Sequence, residues 1–133
     1  MYKTDSIVSQ YCEFHYGDEN FGVKNFSKEI AKIALKYSTI KRKALDIGCA
    51  VGRSSFELAN EFQYVDGMDF SDRFIEVATE MKKNKKLKYE RLEEGSLVSY
   101  QERTLEEIGL NKSYNNITFL QQDATNLKPI YKD

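Results

Sequence analysis

With 133 residues the chain is long enough for one small domain with a core of its own. Its 41% hydrophobic and 31% charged residues are those of an ordinary globular chain, and a net charge of −1 removes the electrostatic case for nucleic acid or an acidic membrane surface. No apolar run approaches the roughly 20 residues of a membrane span, the first ten residues carry no apolar signal-peptide core, and Cys12 and Cys49 with a single histidine make no metal site, so a reduced, cytoplasmic setting is expected.

Residues 4–16 read as a helix that Thr4 or Asp5 can cap, with Ile7, Val8, Tyr11, Cys12 and His15 at helical spacing. A Gly-, Asn- and Asp-rich loop follows, and Ser27 is placed to cap a second helix with Ile30, Ile33, Ala34 and Tyr37 on one inward face. Ala44–Ile47 is a short apolar run closed by glycines, hence a buried strand; Arg53–Phe62 reads as a helix with Phe56, Ala59 and Phe62 inward. Gln63–Phe70 is a second strand, and Ser71 caps a helix from Asp72 to about Lys83 with Phe74, Ile75, Ala78 and Met81 toward the core. Strand–helix–strand–helix is the pattern of a parallel sheet with right-handed crossovers. The lysines at 82, 83, 85, 86 and 88 suit the solvated C-terminal end of that helix. Residues 84–113 break the pattern: LKYERL and SLVSYQ alternate around Glu93-Glu94-Gly95, which predicts a β-hairpin, with a short helix near 104–110. Asn116–Gln121 is the third parallel strand, ending at Gln122-Asp123.

Between the first strand and its helix lies Asp46-Ile47-Gly48-Cys49-Ala50-Val51-Gly52. Glycines permit a tight turn and a close approach of backbone to ligand, and the helix start beyond offers N–H groups to an anionic part of that ligand. Asp69 stands 21 positions after Gly48 at the end of the next strand, where a ribose-binding carboxylate belongs in a doubly wound sheet. The spacing G-x-A-x-G, not G-x-G-x-x-G, and a carboxylate at Asp46 favour S-adenosylmethionine over a dinucleotide, because a carboxylate there can meet an ammonium but has no use for a pyrophosphate. Asp123-Ala124 ends the third strand where an acid can read the adenine amino group, and Phe70 can pack on the adenine face. Each has a plainer reading: Gly48 and Gly52 as turn residues, Asp69 as a helix cap shared with Ser71, Asp123 as a loop acid, and Phe70 as core. Cys49 lines the loop as a packed small residue, since methyl transfer to a small molecule needs no covalent step.

YCEFHYGDENFGVKNF (11–26), DIGCAVGRSSFELA (46–59) and FLQQDATNLKP (119–129) together resemble the methyltransferase domain of the mercaptohistidine methyltransferases of ovothiol biosynthesis, and residues 86–110 resemble an insertion of that family. The resemblance implies an α/β, Rossmann-like class I methyltransferase, a three-layer sandwich with strand order 3-2-1-4-5-7-6. On that pattern residues 1–40 form an N-terminal helical cap, residues 41–133 the cofactor-binding half with a hairpin insertion at about 84–113, and the chain ends after the third strand. It implies S-adenosylmethionine as cofactor and an imidazole nitrogen of a mercaptohistidine-like small molecule as acceptor. His15 and Tyr16 have the chemistry to hold a small zwitterionic imidazole; the plainer reading is that Tyr11 and Phe14 pack the helix down and His15 is a surface or core histidine. No metal, nucleic acid or membrane partner is expected. An apolar first strand with no neighbour on its far side, and helix faces left bare at Phe56 and Phe62, predict self-association or membership of a longer chain. A cofactor-binding module without turnover, or another small-molecule acceptor, is the alternative.

Overall fold

The computed structural model describes residues 5–19, 23–95 and 97–125. Helix α1 (Ser6–Tyr16) is capped by the Asp5 carboxylate, which accepts from Ile7 N and Val8 N; Thr4, the other candidate cap, lies outside the described residues, as do Asn126–Pro129 of the late motif and Tyr131–Asp133. Helix α2 spans Phe26–Tyr37 and starts one residue before Ser27, because the Asn25 side chain accepts from Lys28 N and serves as the cap. The Asn25 amide also donates to the carbonyls of Phe14 and His15 at 3.0 and 2.9 Å, closing the end of α1.

Strand β1 (Lys43–Ile47) leads through the glycine loop into helix α3 (Arg53–Ala59), strand β2 (Tyr64–Asp69) and helix α4 (Asp72–Asn84). The two-stranded antiparallel unit of β3 (Lys86–Leu92) and β4 (Val98–Thr104) follows, then a 3₁₀ turn (Glu106–Ile108) and strand β5 (Ile117–Gln121). The main sheet has the order β1-β2-β5, all parallel, with Asp46 opposite Gly67 and Asp69 opposite Gln121. With the hairpin set aside this is the 3-2-1 half of the expected order. The architecture is a Rossmann-like α/β fold with a parallel sheet.

The core lies between the sheet and one layer of helices. Phe119 of β5 packs edge-on against Phe56 of α3 at 5.6 Å, and its ring also closes on the Gly52–Ala78 contact between the loop and α4. Both crossover helices therefore flank the same sheet face, as two right-handed crossovers in one direction require. Phe56 is fully buried, against Tyr114 at 5.2 Å and Tyr16 at 6.5 Å, and Phe62 is 7% exposed. The expectation that these two phenylalanines stand bare is thus corrected: α1 and the segment leading into β5 cover Phe56, and Phe62 lies within the core. On α2 the inward residues are Ala31, Ala34 and Leu35, whereas Ile30, Ile33 and Tyr37 are exposed. Small residues allow α2 to approach α3 closely, and the large ones are turned to the far side. Among the described residues β1 pairs on one side only, with β2. No described helix is long and apolar enough to cross a membrane.

Candidate cofactor site

Parallel strands bring their C-terminal ends to one edge of the sheet, and the three acids expected at the cofactor lie there: Asp46 near the end of β1, Asp69 at the end of β2 and Asp123 just beyond β5. At the end of β1 the Gly48 and Cys49 N–H groups both donate to Met68 O, at 2.8 and 2.9 Å, which ties the loop to β2. The backbone then runs through three left-handed positions, Gly48 (φ 75°), Ala50 (φ 47°) and Gly52 (φ 101°). Gly52 is a glycine for packing as well: a Cβ there would lie 3.0 Å from the Phe119 ring. At Gly48 a Cβ would meet nothing within 4 Å, so the loop faces open space there.

Asp69 holds the loop from the neighbouring strand. Its Oδ2 accepts from Ala50 N at 3.0 Å and its Oδ1 from Ser71 N at 2.9 Å. The cap reading and the binding reading of Asp69 are compatible, because each carboxylate oxygen has a second acceptor direction left for a hydroxyl. Asp46 Oδ2 accepts from two serines at the start of α3, Ser54 Oγ at 2.6 Å and Ser55 Oγ at 2.7 Å. Gln122 N donates to Asp69 O and the Gln121 side chain to Phe70 O, both at 2.9 Å, so the end of β5 is fastened beside the end of β2. Asp123 and Ala124 follow directly and are exposed. Hydrogen bonds from the Thr125 hydroxyl and N–H hold the Asp123 carboxyl below the usual carboxylate range. Phe70 is 71% exposed and so is not a core residue. Cys49 is buried, and burial, with the Asp46 and Asp69 charges behind it, pushes its thiol far up. It is a packed wall of the loop, not a nucleophile.

His15 and Tyr16 both lie inside the protein. Tyr16 is fully buried and its hydroxyl donates to Val51 O at 2.5 Å. His15 is buried as well: its Nδ1 accepts from Arg53 N at 3.2 Å and its Nε2 lies 3.3 Å from Ser27 Oγ. Both aromatic side chains engage their polar atoms inside the protein, which supports the plainer, structural reading of His15 and Tyr16 over the substrate role expected of them. The Arg53 contact takes up the first N–H of α3, so that group is not offered to a ligand. Burial, and after it the Arg53 guanidinium, lowers His15 to about 4, so the ring is neutral. Arg53, which the sequence did not single out, is itself buried; it donates to His15 O at 2.7 Å and pairs with Glu57 at 3.0 Å.

A glycine loop between parallel strand and helix, with acids at the ends of the first three sheet strands, is the arrangement of a cofactor-binding methyltransferase half. A family model described as methyltransferase domain matches residues 39–107. The chain belongs to this family. A comparison with curated proteins gives no match. Among solved structures, magnesium protoporphyrin IX methyltransferase of Synechocystis PCC 6803 with bound S-adenosylhomocysteine aligns at 21% identity and TM-score 0.49, over 92% of this chain and 53% of that one. A Methanococcus maripaludis protein assigned to the S-adenosyl-L-methionine-dependent methyltransferases aligns at 23% identity and TM-score 0.47, over 76% of this chain and 35% of that one. Phosphoethanolamine N-methyltransferase 1 of Haemonchus contortus aligns at 20% identity and TM-score 0.45, over 77% of this chain and 16% of that one. The chain thus spans about a third of the length of the Methanococcus protein.

Proposed function

We propose that this methyltransferase domain directs methyl transfer from S-adenosylmethionine to a small acceptor, an imidazole nitrogen of a mercaptohistidine. One observation carries the reading of the acceptor. The two segments that resemble mercaptohistidine methyltransferases, 11–26 and 46–59, pack on each other through the Tyr16–Val51 and His15–Arg53 hydrogen bonds. The resemblance therefore falls on one contiguous piece of structure beside the cofactor loop.

The residues fit the cofactor. Open space at Gly48 admits a ligand against the backbone, Asp46 suits the methionine ammonium, and Asp69 the ribose hydroxyls. Asp123 with Ala124 suits the adenine edge and the exposed Phe70 its face. The bound cofactor supplies a methyl group made electrophilic by its sulfonium. A neutral imidazole nitrogen is already a nucleophile, so the protein has to align it about 3 Å from the methyl carbon and keep water out. Thermal-shift titration with S-adenosylhomocysteine and with NAD tests the cofactor, and transfer of labelled methyl to mercaptohistidine tests the acceptor. Stabilisation by S-adenosylhomocysteine alone, with label in mercaptohistidine, is expected. Stabilisation by NAD alone would overturn the cofactor. Binding without turnover on mercaptohistidine would favour a cofactor-binding module or a different acceptor.

A further inference from the structure

The Asp46 carboxylate is held in an unusual way for a residue at a strand end. Ser54 Oγ and Ser55 Oγ both donate to the same oxygen, Oδ2, at 2.6 and 2.7 Å. Among the described residues Oδ1 receives no hydrogen bond. Ser55 is fully buried, so its hydroxyl is not exchanging partners with bulk water. The room for it comes from β2. Gly67 stands opposite Asp46 in the parallel register. A Cβ on Gly67 would lie 2.6 Å from Ser55 Oγ and 2.9 Å from the Phe119 ring, closer than real side chains come. Glycine in the middle of a strand weakens it and has to be explained by a close approach. Here the approaching group is the Ser55 hydroxyl.

We infer that Ser54, Ser55 and Gly67 form a cradle that positions Asp46 for the α-ammonium of the cofactor's methionine end. The inference rests on S-adenosylmethionine occupying the Gly48–Gly52 loop. Two donors on one oxygen fix the carboxylate rotamer and leave the other oxygen to the ammonium. Without them the carboxylate can turn, and part of the charge-assisted bond is lost to disorder. Ser54 and Ser55 are positioning residues: they act on the cofactor only through Asp46. Gly67 acts one step further back, by leaving Ser55 its place.

The test compares two ligands by calorimetry on the whole chain: S-adenosylhomocysteine, and its deamino analogue, which lacks the α-ammonium. In the unaltered protein S-adenosylhomocysteine should bind more tightly. Ser55→Ala and Ser54→Ala together should cut that preference roughly tenfold, the loss of about one hydrogen bond to a charged group, while the deamino analogue keeps its affinity. Asp46→Asn should remove the preference, and the serine changes should add nothing on top of it. Gly67→Ala, which displaces the Ser55 hydroxyl, should lower the preference in the same direction as the serine changes, with circular dichroism reporting that the fold is retained. A serine double variant that weakens both ligands equally would assign the hydroxyls to folding alone and overturn the inference. An unaltered preference in that variant would overturn it too. If the unaltered protein binds neither ligand, the cofactor reading itself fails and the cradle falls with it.

Discussion

His15 joins α1 to the start of α3, and the joint requires a neutral ring. Nδ1 accepts from Arg53 N, and a protonated ring has no lone pair to offer there. An imidazolium would also be buried beside the Arg53 guanidinium. The ordinary histidine value of 6.5 falls to about 4 in the fold. The folded state thus prefers the neutral form. Its advantage is complete above about pH 6.5 and is lost as pH falls toward about 4. From about pH 7.5 to pH 4.5 the linkage gives a loss of about 2.5 kcal/mol for this one group. The measurement is urea unfolding of the protein and of His15→Gln at both pH values. A glutamine side chain does not titrate, so the variant starts less stable but should lose about 2.5 kcal/mol less on acidification. The carboxylates common to both proteins cancel in that difference. Equal losses, within about 0.5 kcal/mol, would refute the buried neutral histidine and with it the joint.

Three further outcomes are expected. Asp69→Ala should weaken S-adenosylhomocysteine at least tenfold, the ~1.5–3 kcal/mol of hydrogen bonds to a charged group, and unchanged affinity by calorimetry would remove Asp69 from the site. Gly48→Val should abolish cofactor binding and, because the position is left-handed, cost about 1–2 kcal/mol of stability, while far-UV circular dichroism stays native, since a Cβ there meets no protein atom within 4 Å and would stand only in the ligand's way; retained binding would move the site elsewhere. Cys49 should react with a disulfide reagent at pH 8 only as fast as the protein unfolds, since burial raises its thiol; prompt labelling of the native protein at Cys49 would contradict this.

The parallel half-sheet could be read from the sequence because a glycine or an acid stands at or just beyond the end of each apolar strand, at Gly48, Asp69 and Asp123, and Ser71 caps the helix after the second. The offsets of Asp46, Asp69 and Asp123 from strand ends place all three at one edge of the sheet, because backbone geometry converts such offsets directly into position. The cradle behind Asp46 was not legible. Ser54 and Ser55 look like ordinary first-turn helix residues, and Gly67 like a weak point in a strand; only the register that sets Gly67 against Asp46 brings the three together. The inward face of α2 was misjudged for a related reason. Ile30, Ile33 and Tyr37 have the larger hydrophobicity, but a close helix–helix approach selects Ala31 and Ala34. His15 and Tyr16 carry acceptor-binding chemistry in sequence and structural roles in space, a distinction that depends on burial.

The hairpin of β3 and β4 closes on itself before the chain returns to the main sheet. Lys86 pairs with Thr104, and Leu105 N donates to Lys85 O at 2.9 Å, so the chain leaves the hairpin beside the point where it entered. To the rest of the fold the long excursion between α4 and β5 therefore behaves like a short link from Leu105 to Asn116. Loop-closure entropy grows only with the logarithm of length, and the hairpin lowers that cost by roughly 1 kcal/mol when β5 docks on β2. Residues around the exposed tip at Glu93 and Glu94 are accordingly free to lengthen or shorten at small cost to the parallel sheet, whereas a change at the neck, Lys85–Leu105, would be felt at once in the docking of β5.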